Sequence, residues 1–478
     1  MNRQLKRVTI AVLLMFLALF TSTTVITVFQ VDKLNVDHRN VRTLYDGYSA
    51  ERGPILVDGR AVAESTPVND RFKFQRVYSN PQLYSAVTGY FTLSQGNTGV
   101  EGALNDYLSG TANDQFLAKI NSILTGRTPK GAAVSLTINP KVQQVAWDAM
   151  GDHTGAVVAI DPKTGAILAM VSKTAFDPNA LASHNTGSVI AAYKQLIADP
   201  AKPLINRAIA GDLYYPGSVF KLVLTSAALD SGKFNPDSTF PNPSTLQLPG
   251  TNTSINNAEG GNCGGGATVT IADALRLSCN IPMAQLGAAL GGEEIAQYAK
   301  AYGYGQRLSI PTAVTPSIYN VGDAPQVMLS SFGQFEDRVT PLQVAMTSAA
   351  IANGGMLMQP TLIKEITAPD LSVIQPFQQK VFGQPISAQT SATLTQLMVN
   401  NVSNGAASNA RISGVDVAGK TGTAQNGGGR PYTLWFTGFA PANNPQIAIA
   451  VVIENGTSFG NAVAAPIAKK VIEAVLSK

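Results

Sequence analysis

A helix that is apolar on nearly every side, predicted between Val219 and Leu229, constrains the fold of this sequence more than any other feature. Pro216 and Gly217 interrupt the chain before it, and a Ser-Gly pair ends it. Because a helix without a polar face must be buried, the remaining chain has to enclose this one. With 478 residues, the chain is long enough for two or three domains.

Two polar side chains stand at the start of this buried helix. Ser218, which we expect to cap the helix, and Lys221 are three residues apart and therefore share one face. A buried lysine loses affinity for its proton, and the helix dipole favours negative charge on the serine oxygen, so the pair predicts a nucleophile with its base. A capping serine followed by a surface-reaching lysine is the alternative interpretation. No other serine in the chain has a lysine three positions later.

The N-terminus predicts the location of the protein. Arg3, Lys6 and Arg7 precede an uncharged apolar stretch over 8–29, which is long enough to span a bilayer as a helix. Positive charge before the span predicts a cytoplasmic N-terminus and an extracellular remainder. A cleaved signal peptide is the alternative, but the stretch ends without an Ala-x-Ala-like site. We therefore expect a single-pass anchor in the cell membrane.

Composition excludes several other classes of function. The net charge is only +4 and no basic run follows the N-terminus, so nucleic acid is not an expected partner. Cys263 and Cys279 could form a disulfide in an oxidising compartment, although two free thiols are equally compatible with the sequence. The histidines are scattered and form no cluster with the cysteines, so no metal and no cofactor are predicted: His38, His153 and His184.

The order of predicted elements indicates an α+β fold. Two buried strands joined by a tight turn precede a helical region over 218–351, and three further strands and a helix follow it. The strands are expected to form one five-stranded antiparallel sheet flanked by helices. They are predicted at 156–160, 166–171, 414–420, 433–439 and 446–453, and the last helix at 465–476.

Four segments are expected along the chain. A cytoplasmic tail over 1–7 is followed by the anchor over 8–29. A small α+β module over 30–150, which shows no catalytic cluster, is interpreted as a pedestal or docking module. Residues 151–478 are expected to form the catalytic domain.

Two further motifs could complete a site around Ser218. Ser278-Cys279-Asn280 lies at a predicted helix junction, where two polar side chains can point inward together. Lys420-Thr421-Gly422-Thr423 is predicted to end a strand, which places a cation for a substrate carboxylate beside a glycine that lets substrate lie against the backbone. Each motif also has a copy elsewhere in the chain: Ser183-His184-Asn185, Ser254-Ile255-Asn256 and Lys163-Thr164-Gly165.

The three motifs, in this order, resemble those of penicillin-binding proteins and serine β-lactamases. Further similarity is to class B penicillin-binding proteins, and in particular to small actinobacterial members without appended C-terminal domains. It includes Arg52-Gly53-Pro54-Ile55 after the anchor, the segment 155–165, Asn206-Arg207-Ala208, Thr340-Pro341-Leu342-Gln343, and the segments 349–355 and 435–439. The segment 335–338 departs from the family by carrying two acids, for which the sequence offers no physical reason.

The resemblance implies a D,D-transpeptidase that cross-links peptidoglycan. Ser218 would attack the D-Ala–D-Ala bond, with Lys221 as base and Ser278 and Asn280 relaying the proton and holding the peptide. Lys420, with the Thr421-Gly422-Thr423 segment, would bind the terminal carboxylate. The backbone N–H groups of Ser218 and Thr423 would form the oxyanion hole.

The implied ligands are the donor stem peptide, an amine of a neighbouring stem peptide, expected to be meso-diaminopimelate, and β-lactam antibiotics. The implied protein partner is a glycosyltransferase within an elongation or division complex. A membrane-anchored serine β-lactamase is the alternative enzyme, but no glutamate after Ser278 has an asparagine four residues later. A penicillin sensor or an inactive scaffold is the alternative outside catalysis.

Overall fold

The computed structural model describes residues 2–30, 50–92, 94–115, 130–258 and 260–477. Its α-helices, in chain order, are α1 Asn2–Thr24, α2 Pro81–Thr88, α3 Gly99–Ala103, α4 Asn105–Ser109, α5 Pro140–Met150, α6 Asn179–Ala182, α7 Thr186–Ala198, α8 Lys221–Asp230, α9 Ile271–Arg276, α10 Ile281–Leu290, α11 Gly292–Ala301, α12 Ala324–Ser330, α13 Pro341–Ala352, α14 Ala388–Asn404 and α15 Gly460–Leu476. The first of these continues as a short π-helix, Val25–Phe29.

The strands are β1 Ile55–Val57, β2 Arg60–Pro67, β3 Phe74–Tyr78, β4 Ala133–Leu136, β5 Gly155–Ile160, β6 Ile167–Lys173, β7 Thr239–Pro241, β8 Thr245–Gln247, β9 Ser254–Asn256, β10 Thr268–Thr270, β11 Leu308–Ser309, β12 Ala313–Val314, β13 Leu357–Met358, β14 Ile363–Thr367, β15 Val373–Gln375, β16 Val381–Gly383, β17 Ala418–Ala424, β18 Tyr432–Ala440 and β19 Ile447–Gly456. They form one six-stranded sheet, one five-stranded sheet and four two-stranded ribbons.

The N-terminal helix stands apart from both sheets. The stretch Arg3–Phe29 is the one helix in the described ranges that is long and apolar enough to cross a membrane. None of its side chains is buried by another part of the described structure, and large apolar residues such as Phe16 and Phe20 are exposed. An apolar surface of this kind is consistent with a membrane anchor.

The six-stranded sheet combines two distant parts of the chain. Its strand order is β15-β14-β4-β1-β2-β3, so two strands from residues 363–375 pair with strands from residues 55–136. The join is antiparallel, with Ile363 opposite Leu136 and Thr367 opposite Ala133. The predicted domain boundary at residue 150 stays a prediction. The pairing of β14 with β4 shows that strands from both sides of this boundary belong to one sheet.

The five-stranded sheet positions the candidate site. Its order is β17-β18-β19-β5-β6 and every pairing is antiparallel, which confirms the predicted sheet. Neighbouring side chains in β5 point to opposite faces of the sheet. Val158 packs in the hydrophobic core that contains α8 and α13, whereas Val157 packs in the core that contains α5 and α15. Both faces of this sheet are therefore covered by helices.

The predicted bounds of β17 were wrong. The strand was expected over 414–420 and runs instead over Ala418–Ala424. A turn closes between Ile412 and Val415, with Gly414 at φ +74°, so the backbone there cannot join the ladder. Pairing with β18 continues to Ala424, opposite Thr433, and overrides the weak strand propensity of this glycine-rich segment. Lys420 therefore lies within the strand, opposite Thr437, and not at its end.

Candidate active site

The predicted nucleophile lies in a turn that precedes the buried helix. Gly217–Val219 forms a single 3₁₀ turn, closed by the N–H of Phe220 donating to the carbonyl of Gly217 over 3.0 Å. The α-helix itself begins at Lys221, and its N-terminus has no side-chain cap. The expectation that Ser218 caps the helix was therefore wrong, because the 3₁₀ turn separates Ser218 from the first α-helical residue. Ser218 is half-buried in this turn.

Two hydrogen bonds to the backbone and one close approach of the sheet fix this turn against its surroundings. The N–H of Gly217 donates to the carbonyl of Gly333 over 2.9 Å, and the indole of Trp435 donates to the carbonyl of Tyr215 over 2.9 Å. On the side of the sheet, a Cβ on Gly422 would lie 3.1 Å from the carbonyl oxygen of Pro216. Gly422 thus lets β17 approach the turn, a reason that differs from the substrate contact expected from the sequence.

The second motif reaches the first through Lys221. Its ammonium Nζ donates to the carbonyl of Ser278 and to Oδ1 of Asn280, both over 2.8 Å. No hydrogen bond between Lys221 and Ser218 is found in the described structure. Ser278 has a φ of +62°, a left-handed conformation that few residues other than glycine adopt. Cys279 points into the core and forms a disulfide with Cys263.

The third motif meets the second from the sheet. Lys420 Nζ donates to the hydroxyl of Ser278 over 2.7 Å and to the carbonyl of Thr421 over 2.9 Å. The structure thus connects Lys221, Asn280, Ser278 and Lys420 by direct hydrogen bonds, and Ser218 precedes Lys221 by less than one turn. Two of the three copies lie elsewhere: Lys163-Thr164-Gly165 forms the turn between β5 and β6, and Ser183-His184-Asn185 precedes α7.

The two lysines lie in a low dielectric. Both side chains belong to residues with 0% exposure. Burial lowers the pKa of Lys420 to about 7. Burial, and then the charge of Lys420, lower the pKa of Lys221 well below its usual 10.5. An amine whose pKa is depressed in this way can be neutral near pH 7 and accept a proton.

The two threonines of the third motif are not equivalent. Thr421 donates its hydroxyl hydrogen to the carbonyl of Ala406 over 3.0 Å, so that hydrogen is not free for a ligand in this conformation. Thr423 accepts at its hydroxyl from the N–H of Gly460 over 3.1 Å and therefore keeps its own hydrogen. Of the two hydroxyls, only that of Thr423 remains able to donate to an anion.

A group of supporting residues was not found from the sequence. The carboxylate Oε1 of Glu454 accepts from the hydroxyl of Tyr214 over 2.6 Å and from Nε of Arg207 over 3.0 Å, which ties the chain just before the nucleophile turn to β19. Asn256 and Asn257 lie against Asn280. One of them, Asn256, belongs to a copy of the second motif that the sequence could not distinguish from a chance match.

Two segments of the chain match models of known protein families. Residues 155–473 match a family model described as the penicillin binding protein transpeptidase domain, and residues 52–134 match one described as the penicillin binding protein A dimerisation domain. The peptidoglycan D,D-transpeptidase PbpA of Mycolicibacterium smegmatis is 39% identical, over 100% of this chain and 99% of the relative. The protein of the same name from Mycobacterium tuberculosis is also 39% identical, with the same coverage.

Solved structures give the same result. The ceftriaxone acyl-enzyme complex of penicillin-binding protein A from M. tuberculosis matches with a TM-score of 0.87 and 39% identity, covering 91% of this chain and 100% of that chain. The D,D-transpeptidase domain of a peptidoglycan glycosyltransferase from Eggerthella lenta matches with a TM-score of 0.78 and 31% identity, covering 90% and 98%. From the family model over residues 155–473 and the relatives 39% identical over full length, this chain belongs to the penicillin-binding protein transpeptidase family.

Proposed function

We propose that this chain is a peptidoglycan D,D-transpeptidase that forms an acyl-enzyme at Ser218. The observation that carries the proposal is the convergence of three distant motifs on one hydrogen-bonded cluster, in which Lys221 binds the carbonyl of Ser278 and the amide of Asn280, and Lys420 binds the hydroxyl of Ser278. Together with Ser218, three residues before Lys221, the cluster provides a nucleophile, a base with a lowered pKa and a cation for an anionic substrate, which is the set that acyl transfer needs.

In the acylation step, Ser218 Oγ attacks the carbonyl carbon of the penultimate D-alanine of a donor stem peptide. The hydroxyl proton passes to neutral Lys221 as the new C–O bond forms. The C–N bond to the terminal D-alanine then breaks, and its nitrogen takes the proton from Lys221 by way of Ser278, whose hydroxyl is bonded to Lys420, so Lys221 is neutral again. The products of this step are an ester on Ser218 and free D-alanine.

Two groups of donors would hold the substrate during this step. The backbone N–H groups of Ser218 and Thr423 form the oxyanion hole for the negative oxygen of the tetrahedral intermediate. The terminal carboxylate binds near Lys420 and the hydroxyl of Thr423, which keeps a free hydrogen. Thr421 supports β17 through Ala406. Nδ2 of Asn280 donates one hydrogen to the carbonyl of Asn256 and holds the peptide backbone with the other.

The second step transfers the acyl group. An amine of a neighbouring stem peptide attacks the ester carbonyl, the C–O bond to Ser218 breaks, and the proton lost by the amine returns to the serine oxygen. A β-lactam enters the first step as a substrate mimic, but its leaving nitrogen stays attached to the acyl group. The ester then persists and the enzyme is inhibited.

The location and the partners belong to the same proposal. The basic residues before the apolar helix support a cytoplasmic N-terminus and a catalytic domain on the outer side of the membrane. The matched family models cover a dimerisation and a transpeptidase domain, which supports a monofunctional transpeptidase. Glycan strands would then come from a separate glycosyltransferase in an elongation or division complex.

The test is the intact mass of the full-length protein in detergent, followed over hours with penicillin. One stable adduct that Ser218→Ala abolishes is expected. Rapid loss of the adduct with continued consumption of the drug would instead indicate a β-lactamase. The absence of any adduct on folded protein would overturn both enzyme assignments and favour a scaffold.

A further inference from the structure

We propose that Asn257 is a positioning residue for acyl transfer, which holds Asn280 in the orientation that Lys221 requires. The inference rests on the proposed function, because it assigns a role within that same site. Asn257 belongs to none of the three motifs and follows directly after the copy Ser254-Ile255-Asn256.

Both polar atoms of the Asn257 side chain form hydrogen bonds. Its Oδ1 accepts from the N–H of Asn280 over 2.9 Å and from that of Ile281 over 3.2 Å, and its Nδ2 donates to the carbonyl of Gly261 over 3.0 Å. These two N–H groups stand at the start of α10, where a helix has no backbone acceptors of its own. With 7% exposure, Asn257 has little contact with water that could replace these bonds.

The neighbouring peptide group fixes the amide of Asn280 itself. Nδ2 of Asn280 donates to the carbonyl of Asn256 over 3.0 Å. Since a carbonyl oxygen can only accept, it turns the NH₂ end of the amide toward Asn256 and leaves Oδ1 facing Lys221, which donates to it over 2.8 Å. The reversed amide would place two donors against each other at Lys221.

The segment 256–257 therefore fixes Asn280 twice, once by its backbone N–H and once by its amide. Lys221 Nζ has two acceptors, Oδ1 of Asn280 and the carbonyl of Ser278, and both belong to the turn that Asn257 holds. A shift of this turn moves the base relative to Ser218. Displacements of about 1 Å in a catalytic group can reduce the rate about 100-fold.

The chain offers a matched control in Asn242. This residue is 1% exposed and holds the far end of the same loop, because its Nδ2 donates to the carbonyls of Cys263 and Gly266 and its Oδ1 accepts from the N–H of Cys263. None of these bonds is made to Asn280, and the disulfide that joins Cys263 to Cys279 beside it does not depend on them. Loss of Asn242 thus loosens the loop without removing the contacts at the turn.

The experiment measures the second-order rate constant of acylation by a fluorescent penicillin, from pH 6 to 10, on the full-length protein in detergent. We expect Asn257→Ala to lower the constant by about 10- to 100-fold, as for a misplaced catalytic group, while Asn242→Ala stays within about twofold of the wild type. The thermal unfolding midpoint of each variant is measured in parallel, so that loss of fold is separated from loss of rate.

Asn257→Asp adds a readout that a purely structural role would not change. The carboxylate keeps the acceptor for both N–H groups but loses the donor to the carbonyl of Gly261, so it should restore part of the rate. Its negative charge is added next to Asn280, which Lys221 contacts, and should raise the pKa of Lys221, whose charged neighbour in the described structure is Lys420. The pH at which the acylation rate reaches half of its maximum should therefore be higher than in the wild type. If Asn257→Ala does not fold, Asn257→Asp decides the matter by two readouts together: the maximal rate, which depends on the acceptor for the N–H of Asn280, and the pH at which half of it is reached.

The inference is overturned if Asn257→Ala acylates like the wild type, if Asn242→Ala loses as much rate, or if Asn257→Asp leaves the pH profile unchanged. The proposed function fails separately, and earlier, if the wild-type protein forms no adduct that depends on Ser218.

Discussion

Lys420 holds the hydroxyl of Ser278 across 2.7 Å, and this bond ties the five-stranded sheet to the helical region at the turn where Lys221 also binds. Burial lowers the pKa of both amines, that of Lys420 to about 7, and the charge of Lys420 adds to the lowering of the pKa of Lys221. A lowered pKa favours the neutral form of Lys221, which is the form that can act as a base.

Removing the charge of Lys420 should change the pH dependence of acylation. In Lys420→Gln the like charge beside Lys221 is lost, so the pKa of Lys221 rises toward 10.5. Because only the neutral amine accepts a proton, the rate should reach half of its maximum at a higher pH than in the wild type. The measurement is the acylation rate with a fluorescent penicillin across pH 6 to 10. Lys420→Arg keeps the charge and is the control, and an unchanged midpoint in Lys420→Gln would contradict the coupling.

The parts of the structure that depend on local pattern could be predicted from the sequence. The buried helix at Lys221–Asp230, the hairpin around Gly165 and the five-stranded antiparallel sheet follow from apolar periodicity and turn residues. The order of the three motifs identified the site residues that the structure then places together. Their individual roles in catalysis stay a proposal.

The parts that depend on pairing between distant segments could not be predicted. Ile363–Thr367 joins the sheet of the first module because β4 offers it a free edge, and no local signal encodes that partner. For the same reason, the bounds of β17 depend on its register with β18 and not on its own propensity. The role of Asn257 is visible only once the fold brings it to Asn280, although the two are 23 positions apart.

Asp337, one of the two acids that the sequence left unexplained, should make stability depend on pH. Its carboxyl is fully buried, and neither oxygen has a hydrogen-bond partner in the described structure. Burial raises its pKa well above 3.8, and the charge of Arg338 offsets this only in part. The folded protein therefore holds a proton that the unfolded chain releases above about pH 4, so the stability contribution of this group falls as pH rises from there.

The substitution Asp337→Asn replaces the carboxyl with an amide that cannot ionise. It should therefore remove the fall in stability that this group causes as pH rises. We expect the difference in thermal midpoint between Asp337→Asn and the wild type to increase in favour of the variant from pH 4 to pH 8. The control is Glu336→Gln, because Glu336 is exposed and its substitution removes a carboxylate that is in contact with water. A constant difference for Asp337→Asn over this range would show that the carboxyl is not protonated in the folded state.

Breaking the buried ion cluster of the first module should be costly. Glu101 is fully buried and accepts from Nε of Arg52 and from Nε of Arg76, each over 2.6 Å. Burial raises the pKa of Glu101, but the charges of Arg76 and Arg52 outweigh it and leave the pKa below 4.5. Glu101→Gln leaves two buried guanidinium groups without a counter-charge, and should lower the free energy of unfolding by about 3–5 kcal/mol.

Urea unfolding followed by circular dichroism measures this change. The exposed pair of Glu51 and Lys130 in the same module gives the control, because Glu51→Gln should cost no more than about 1 kcal/mol. If both substitutions lower the free energy of unfolding by the same amount, burial does not determine how much the Glu101 cluster contributes to stability.

Gly333 should be required for acylation although it carries no functional group. It has a φ of +75°, and a Cβ built on it would lie 2.1 Å from the carbonyl oxygen of Gly217, immediately before Ser218. The backbone of the nucleophile turn must move to accept that atom. Gly333→Ala should therefore reduce the acylation rate by on the order of 100-fold.

Gly354→Ala separates this displacement from backbone strain. Gly354 has a φ of +65°, but its Cβ would meet no atom within 4 Å, so the substitution adds only the cost of the left-handed conformation, about 1–2 kcal/mol. Both variants should lose thermal stability, and only Gly333→Ala should lose acylation by the fluorescent penicillin. If the two variants acylate equally well, the contact between Gly333 and Gly217 does not hold Ser218 in its reactive position.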